Sequence, residues 1–93
     1  MISPTNGRVV WYKPLAGDSS LARLSDQPMA AQVCHVWSDT CVNLAVTDHR
    51  GTIHNKSSIT LAQDRDPCEG ECYWMPYQKG QAAKTEALEG KQS

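Results

Sequence analysis

The middle of the chain alternates between apolar and polar residues with a period of two, and this pattern limits the fold more than any other feature. Segment 42–47 reads VNLAVT, so its two valines and its leucine share one face of an extended strand. Segment 48–51 reads DHRG, a turn composition in which Gly51 can adopt a positive φ. A half-apolar strand that ends in a tight turn predicts an antiparallel sheet with these three side chains in its core.

Four further segments have the β-branched, aromatic or alternating residues that are typical of strands. These predicted strands are 9–12, 30–37, 52–61 and 72–74. We expect segment 52–61 to be broken or bulged near Asn55 and Lys56, and two long polar loops, 13–28 and 62–71, separate other strands. Strict alternation within the second strand places four residues on one face: Ala31, Val33, His35 and Trp37.

Five short strands in this order favour an all-β domain, a small five-stranded SH3-like barrel with meander connections. Closing the sheet hides its edges, whereas the competing architecture is an open five-stranded sheet with a terminal helix packed across it. A chain of 93 residues corresponds to one domain. We assign 1–80 to the barrel and 81–93 to a helical or flexible tail, because 81–88 consists largely of good helix formers.

The charge balance and the apolar runs exclude several classes of protein. Nine Lys and Arg against ten Asp and Glu lack the basic excess of a duplex-DNA binder. Binding of single-stranded nucleic acid remains a third possible function, which the absence of a positively charged groove weakens. No apolar run approaches the about 20 residues that a membrane-spanning helix needs. Segment 1–8 has no apolar core of a signal peptide, so we expect a cytoplasmic location.

The cysteine and histidine spacings favour neither a metal site nor catalysis. In a reducing compartment the four cysteines should remain thiols. Strict alternation places Cys34 and His35 on opposite faces, so they could not share one ion without a bulge. No Cys–His pair has a recognised nucleophile spacing, and the carboxylates of 62–71 fall on a polar loop. We therefore expect no metal, no cofactor, no catalytic residues and no enzymatic activity.

Two blocks of the sequence resemble a family of small proteins encoded by tailed phages and prophages. The first block is HVWSD at 35–39 followed by VNL at 42–44, and the second is WMPYQKGQA at 74–82. The resemblance extends over about residues 8–89. It implies a compact β-type phage accessory protein, which would act in the host cell cytoplasm, and it implies no established activity.

The aromatic residues indicate where such a protein could bind a ligand. Three Trp, three Tyr and no Phe give every aromatic ring a polar atom, which suits surfaces that are apolar but partly wet. The alternative is a purely structural role, in which several of these rings only pack in the hydrophobic core. We predict a ligand surface where the turn after β-segment 30–37 approaches segment 74–81. Its predicted members are Trp11, Trp37, Asp39, Asn43, Trp74, Tyr77, Gln78 and Lys79.

The residue types in this set predict a nucleotide-like ligand. Tyr77 would stack on a planar ring, and the amides of Gln78 and Asn43 would read its edges. Either Lys79 or Arg8 would meet a phosphate. The alternative for segment 74–81 is a strap that plugs the open end of the barrel.

These observations predict a function with one main alternative. Asp39 would accept from a ribose hydroxyl, and the protein would sequester a host nucleotide-type immune messenger, a cyclic dinucleotide or an ADP-ribose derivative, without cleaving it. A small barrel has little interior, so we expect its pocket between the subunits of a homo-oligomer. The alternative is a protein-binding adaptor that blocks a host protein, or a minor virion component, acting through the same surface.

Overall fold

All five predicted strands form, each within one residue of its predicted bounds. The computed structural model describes residues 2–76, 78 and 79. The strands are β1 (Val9–Tyr12), β2 (Met29–Ser38), β3 (Cys41–Thr47), β4 (Ile53–Ala62) and β5 (Cys72–Tyr73). They close into a barrel in sequence order, which confirms the SH3-like barrel and excludes the open sheet. The predicted helical tail, 81–93, lies outside the described residues.

Closure of the barrel requires one parallel pair of strands. Strand β1 pairs antiparallel with both β2 and β5, and Trp11 lies opposite Tyr73 in the second of these pairs. Strands β4 and β5 are parallel. A ring with an odd number of strands cannot alternate direction all the way round, so a simple meander cannot close. Segment 63–71 makes the required crossover, because a tight hairpin cannot join parallel strands.

The core of the barrel lies between the inward faces of all five strands. The predicted apolar face of β3 is confirmed, since Val42, Leu44 and Val46 are at most 2% exposed. Trp74, immediately after β5, is 1% exposed and closes the core beside them. The full buried cluster consists of Val10, Tyr12, Leu21, Met29, Ala31, Val33, Val42, Leu44, Val46, Leu61, Cys72 and Trp74.

Bulges in β2 correct the strict alternation predicted for this strand. The pairing with β3 shifts register between Val33 and His35, and again between Val36 and Ser38. A bulge sets two residues opposite one, so the inward and outward faces exchange beyond it. His35 and Trp37 are consequently exposed, and Val36 packs against the core instead.

Strand β4 is bulged as predicted, but two residues further along. The register shifts where Ser57 and Ser58 lie across from Asn43, whereas Asn55 and Lys56 pair regularly with β3. Ser58 has a φ of 54°, in the left-handed region that residues with a Cβ seldom adopt. This bulge and those of β2 flank the same stretch of β3.

The turn between β3 and β4 forms as predicted, around a buried carboxylate. Gly51 has a φ of 90°, and its N–H donates to the carbonyl of Asp48 at 3.0 Å. The Asp48 carboxylate accepts from the N–H groups of Arg50 and Thr52, at 2.9 and 3.0 Å. It also accepts from His54 Nε2 at 2.8 Å, and this bond lowers the pKa of Asp48 well below its usual range.

No helix in the part of the chain that the structure describes combines the length and apolar character needed to cross a membrane.

Candidate functional site

Two of the predicted ligand residues belong to the fold instead of to a ligand surface. Trp74 is buried, and its Nε1 donates to Gln63 Oε1 at 3.1 Å. Gln78 is 8% exposed; its Nε2 donates to the carbonyl of Val9 at 2.9 Å, and its Oε1 accepts from Met75 N at 2.8 Å. Both residues therefore anchor the end of the barrel, which corrects their predicted contact with a ligand.

The segment after Trp74 forms a helical turn. Pro76, Gln78 and Lys79 have helical backbone, and Gln78 N donates to the carbonyl of Met75 at 3.0 Å. Proline suits the first position of a helical turn, where its missing N–H has no partner to lose. Lys79 is exposed. Tyr77 lies outside the described residues, so its stacking role stays a prediction.

Trp37 and His35, which are exposed, and half-buried Asn43 form a cluster on the outer face of the barrel, which we call the indole platform. The Trp37 indole is 62% exposed, and its Nε1 donates to Asn43 Oδ1 at 2.9 Å. Asn43 Oδ1 also accepts from Ser58 N at 2.8 Å, so this amide orients Trp37 and the β4 bulge together. The His35 ring packs against the indole at 4.5 Å between centroids and 73° between planes. Exposed Asp39 lies in the adjoining β2–β3 turn.

Trp11 lies on another side of the barrel, next to Tyr73. The two rings meet edge to face, 5.9 Å between centroids and 70° between planes. The register of β1 and β5 brings these residues opposite each other. Burial raises the pKa of Tyr73, so its phenol is neutral at pH 7. The predicted site is thus divided between two surfaces.

Tyr73 lines a groove of about 350 Å³ between the loops 13–28 and 63–71. This volume falls at the small end of the range for ligand pockets. Cations and carboxylates are present in equal number on its walls, together with prolines, an amide and the phenol ring. The lining residues are Lys13, Pro14, Arg23, Asp26, Gln27, Pro28, Asp66, Pro67 and Tyr73. Sequence reasoning missed this groove because it treated both loops only as polar connections.

Backbone and carboxylate hydrogen bonds fix the 63–71 wall of the groove. Lys13 N donates to the carbonyl of Glu71 at 2.9 Å, and Gly70 N donates to the carbonyl of Lys13 at 2.7 Å. Arg65 binds the Glu71 carboxylate through both terminal nitrogens at 2.7 Å. That guanidinium lowers the pKa of Glu71 to about 2. The loop is therefore held in one shape, although it carries no regular secondary structure.

His49 fixes the opposite wall. Its Nδ1 accepts from Leu24 N at 2.9 Å, so Nδ1 carries no proton in this arrangement. Its Nε2 then donates to the carbonyl of Gln27 at 3.0 Å. Arg23 and Asp26 form an ion pair at 3.5 Å within the segment that this histidine holds. Hydrogen bonds within the chain thus fix both walls.

The cysteines differ in exposure, and the structure describes all of them as unbridged. Cys34 and Cys68 are exposed, Cys41 is half-buried, and Cys72 is buried. Burial raises the pKa of Cys72 to about 12. Among residues 2–76, 78 and 79, no group of three or more His, Cys, Asp or Glu side chains is placed to hold a metal ion.

Comparisons of this chain with protein-family models, with curated proteins and with solved structures find no match.

Proposed function

We propose that this chain is a phage accessory protein that binds and sequesters a host nucleotide-type immune messenger without cleaving it. The observation that carries the proposal is the groove, in which an aromatic ring and two cations, Lys13 and Arg23, line one ordered cavity. The proposed ligand surface is therefore centred on Tyr73 and its partner Trp11, and no longer on the segment after Trp74.

The lining chemistry suits the parts of a nucleotide. A base stacks on the Tyr73 ring, because stacking on an aromatic side chain tolerates any base. Phosphate oxygens pair with Lys13 or Arg23, of which the guanidinium can bind two oxygens at once. Ribose hydroxyls donate to the carboxylates of Asp26 or Asp66. Charged, amide and phenol groups of this kind bind and orient a ligand, so sequestration is the activity that we propose.

The size of the groove also bears on the proposed homo-oligomer. About 350 Å³ suits one nucleotide unit better than two. A cyclic dinucleotide or an ADP-ribose derivative would therefore need a second groove close by. Two subunits related by a two-fold axis supply that second groove with the same lining.

Ligand capture from host extract tests the proposal directly. The purified protein is incubated with nucleotides extracted from host cells, washed and denatured, and the released molecules are identified by mass spectrometry. We expect an intact nucleotide. Arg23→Gln should weaken binding of that nucleotide at least tenfold, because a charge-assisted pair in the groove is lost. Release of no nucleotide would contradict the function.

Arg8→Gln is the matched control for Arg23→Gln. It removes the same charge from an exposed residue that does not line the groove, so the phosphate contact predicted for Arg8 is not part of the proposed site. We expect Arg8→Gln to retain the affinity of the unmodified protein. If Arg8→Gln weakens binding and Arg23→Gln does not, the ligand binds elsewhere and the groove assignment is wrong.

A specific observation favours the second candidate function, a protein-binding adaptor or minor virion component. It is the exposed Trp37 of the indole platform, which lies on a different hairpin from the groove.

A further inference from the structure

We infer that the indole platform, together with Asp39, is a docking site for an arginine side chain of a partner protein. This inference does not rest on the nucleotide groove, because it uses a different set of residues.

The first argument is that backbone irregularities of two strands converge on Trp37. The register shifts of β2 leave Cys34 and Trp37 as extra residues, and the shift of β4 leaves Ser57 and Ser58 across from Asn43. Bulges redirect side chains, and they are common next to functional sites. Ser58 keeps its left-handed φ of 54° at this point. Local strain is thus retained where the orientation of an exposed indole is fixed.

The second argument concerns which part of the indole is available. The Nε1–H already donates to Asn43 Oδ1 at 2.9 Å, so a partner meets the ring surface and not the N–H. His35 packs on the indole at 73° and limits its rotation. The ring is still 62% exposed. An exposed tryptophan that is held in one orientation loses little conformational freedom on binding, which is the property of an interface hot spot.

The third argument is the charge around the platform. The chain carries no Lys or Arg from residue 24 to residue 49, and the facing stretch of β4, 57–60, is uncharged. Asp39 is exposed next to the platform and takes part in none of the ion pairs found among the described residues. An aromatic face beside an unpaired carboxylate is complementary to a cation.

Arginine fits this arrangement better than lysine. Its planar guanidinium stacks on the indole face and presents two N–H groups to one carboxylate. The ammonium of lysine is a strongly hydrated point charge and cannot make both contacts in one plane. The guanidinium therefore stacks on Trp37 and donates to the carboxylate of Asp39.

Binding of a small probe peptide tests the site. The probe is a blocked glycine peptide with two arginines, and its control has citrulline, the neutral analogue, in place of each arginine. Two-dimensional NMR follows the Trp37 Nε1–H signal as each peptide is added at millimolar concentration. We expect a saturable shift with the arginine peptide, weakened by salt, and at least threefold weaker binding of the citrulline peptide.

Three variants complete the experiment. Trp37→Ala and Asp39→Asn should each weaken binding at least threefold. Because Trp37→Ala removes the indole signal, binding by that variant is followed through the backbone N–H signal of Asp39. Both residues are exposed, so the melting temperatures of the two variants should stay close to that of the unmodified protein. Ile53→Ala is the matched control, since Ile53 is 65% exposed on β4, and it should bind normally. If Trp37→Ala is poorly folded, Asp39→Asn decides the question.

Several outcomes would overturn the inference. These are the absence of a saturable shift, equal binding of the citrulline peptide, and unchanged binding by Asp39→Asn. A Trp37 signal that shifts on dilution without peptide would assign the platform to a second copy of this chain. Arg23→Gln should leave peptide binding unchanged, which separates this test from that of the groove.

Discussion

Single polar side chains, each bridging two or more backbone segments, hold the irregular parts of this barrel together. Asn43 links the bulges of β2 and β4, and Gln78 ties the end of the barrel to β1. Gln63 donates to the carbonyls of Ile2 and Asp39, at 2.7 and 2.9 Å, and accepts from Trp74. Where the bridged groups are buried, loss of the side chain leaves them without partners, which costs more than the bond itself.

Asn43→Ala should therefore destabilise the protein more than its position on the outer face suggests. Its oxygen accepts from Ser58 N and from the Trp37 indole, and we expect a loss of about 0.5–1.5 kcal/mol in the free energy of unfolding. Asn55→Ala, an exposed amide on β4, should change it by less than about 0.5 kcal/mol. Urea denaturation measures both. Equal losses would mean that the Asn43 bridge contributes nothing to stability.

Leu44→Ala should lower the free energy of unfolding more than Asn43→Ala does. Leu44 is 2% exposed in a core that one small domain has little room to repack, so we expect about 2–5 kcal/mol of destabilisation. Ile53→Ala, an exposed aliphatic residue on the neighbouring strand, is the control and should cost far less. A similar fall in melting temperature for both variants would contradict the assigned faces.

Thiol chemistry should distinguish the cysteines. Burial raises the pKa of Cys72 to about 12, so this thiol remains protonated and out of reach of reagents in the folded protein. Cys34 and Cys68 are exposed and should be alkylated first. Peptide mapping after brief labelling with a maleimide measures the order. Labelling of Cys72 as fast as Cys34 would show that the last strand opens readily.

At the level of the elements, carboxylates attach the loops and turns to the barrel. Asp48 organises the β3–β4 turn and accepts from Ala22 N at 3.3 Å, which also joins the 13–28 loop to that turn. Hydrogen bonds from Ser20 and from Lys56 lower the pKa of Asp18 to about 2, and the Lys56 bond ties the same loop to β4. The ion pair between Arg65 and Glu71 fixes the shape of the last loop, 63–71, from within. The shapes of these loops consequently depend on ionised carboxylates.

This dependence predicts a loss of stability in acid. The folded pKa values of Asp18 and Glu71 are about 2, below their unfolded values of about 4. Their stabilisation is fully present above about pH 5 and is lost as the pH falls through the folded values. Urea denaturation at a series of pH values from 6 to 2, spaced by about one unit, measures this loss of stability. Asp48→Asn should lower stability at pH 6 and flatten its decline in acid.

Asp64→Asn is the matched control for this prediction. The Asp64 side chain makes none of the hydrogen bonds found among the described residues, and it is exposed. We expect its free energy of unfolding to change with pH in the same way as that of the unmodified protein. If the free energy of unfolding of Asp48→Asn also changes with pH as that of the unmodified protein does, the buried carboxylate does not link stability to pH.

For the whole molecule, the outward surface carries a row of residues that crosses all five strands and is apolar apart from its threonine; we call it the apolar row. The strand registers place Tyr73, Trp11, Ala30, Thr47 and Ile53 side by side on neighbouring strands. Trp11 and Tyr73 are half-buried, and Ile53 is 65% exposed. A row of this kind at the margin of the groove is consistent with the proposal that two subunits meet there.

Light scattering tests the proposed homo-oligomer. A two-fold dimer should have twice the 10.3 kDa mass of one chain at micromolar concentration. Arg8→Gln, which leaves the apolar row intact, should have the same mass as the unmodified protein. A mass near that of a single chain would contradict the dimer and would leave each groove with room for one nucleotide unit.

The strands, the β3–β4 turn and the inward face of β3 could be predicted from the sequence because each depends on neighbouring residues. Alternation requires only a regular strand, and a turn requires only residues such as Gly51 that tolerate its dihedral angles. Alternation in 72–74 likewise puts Trp74 on the face opposite Tyr73. Which of the two faces packs into the core depends on the partner strand. The burial of Trp74 could therefore not be predicted from the local sequence.

Tertiary structure alone decided the bulges, the helical turn anchored by Gln78, and the groove. A bulge arises when paired strands adjust their registers, so the exposure of Trp37 depends on Asn43 and Ser58 in two other strands. The groove forms between loops that are about 40 residues apart in sequence, and the barrel brings them together when β5 pairs with β1. Local sequence determined the elements, and pairing between distant residues determined the surfaces on which binding depends.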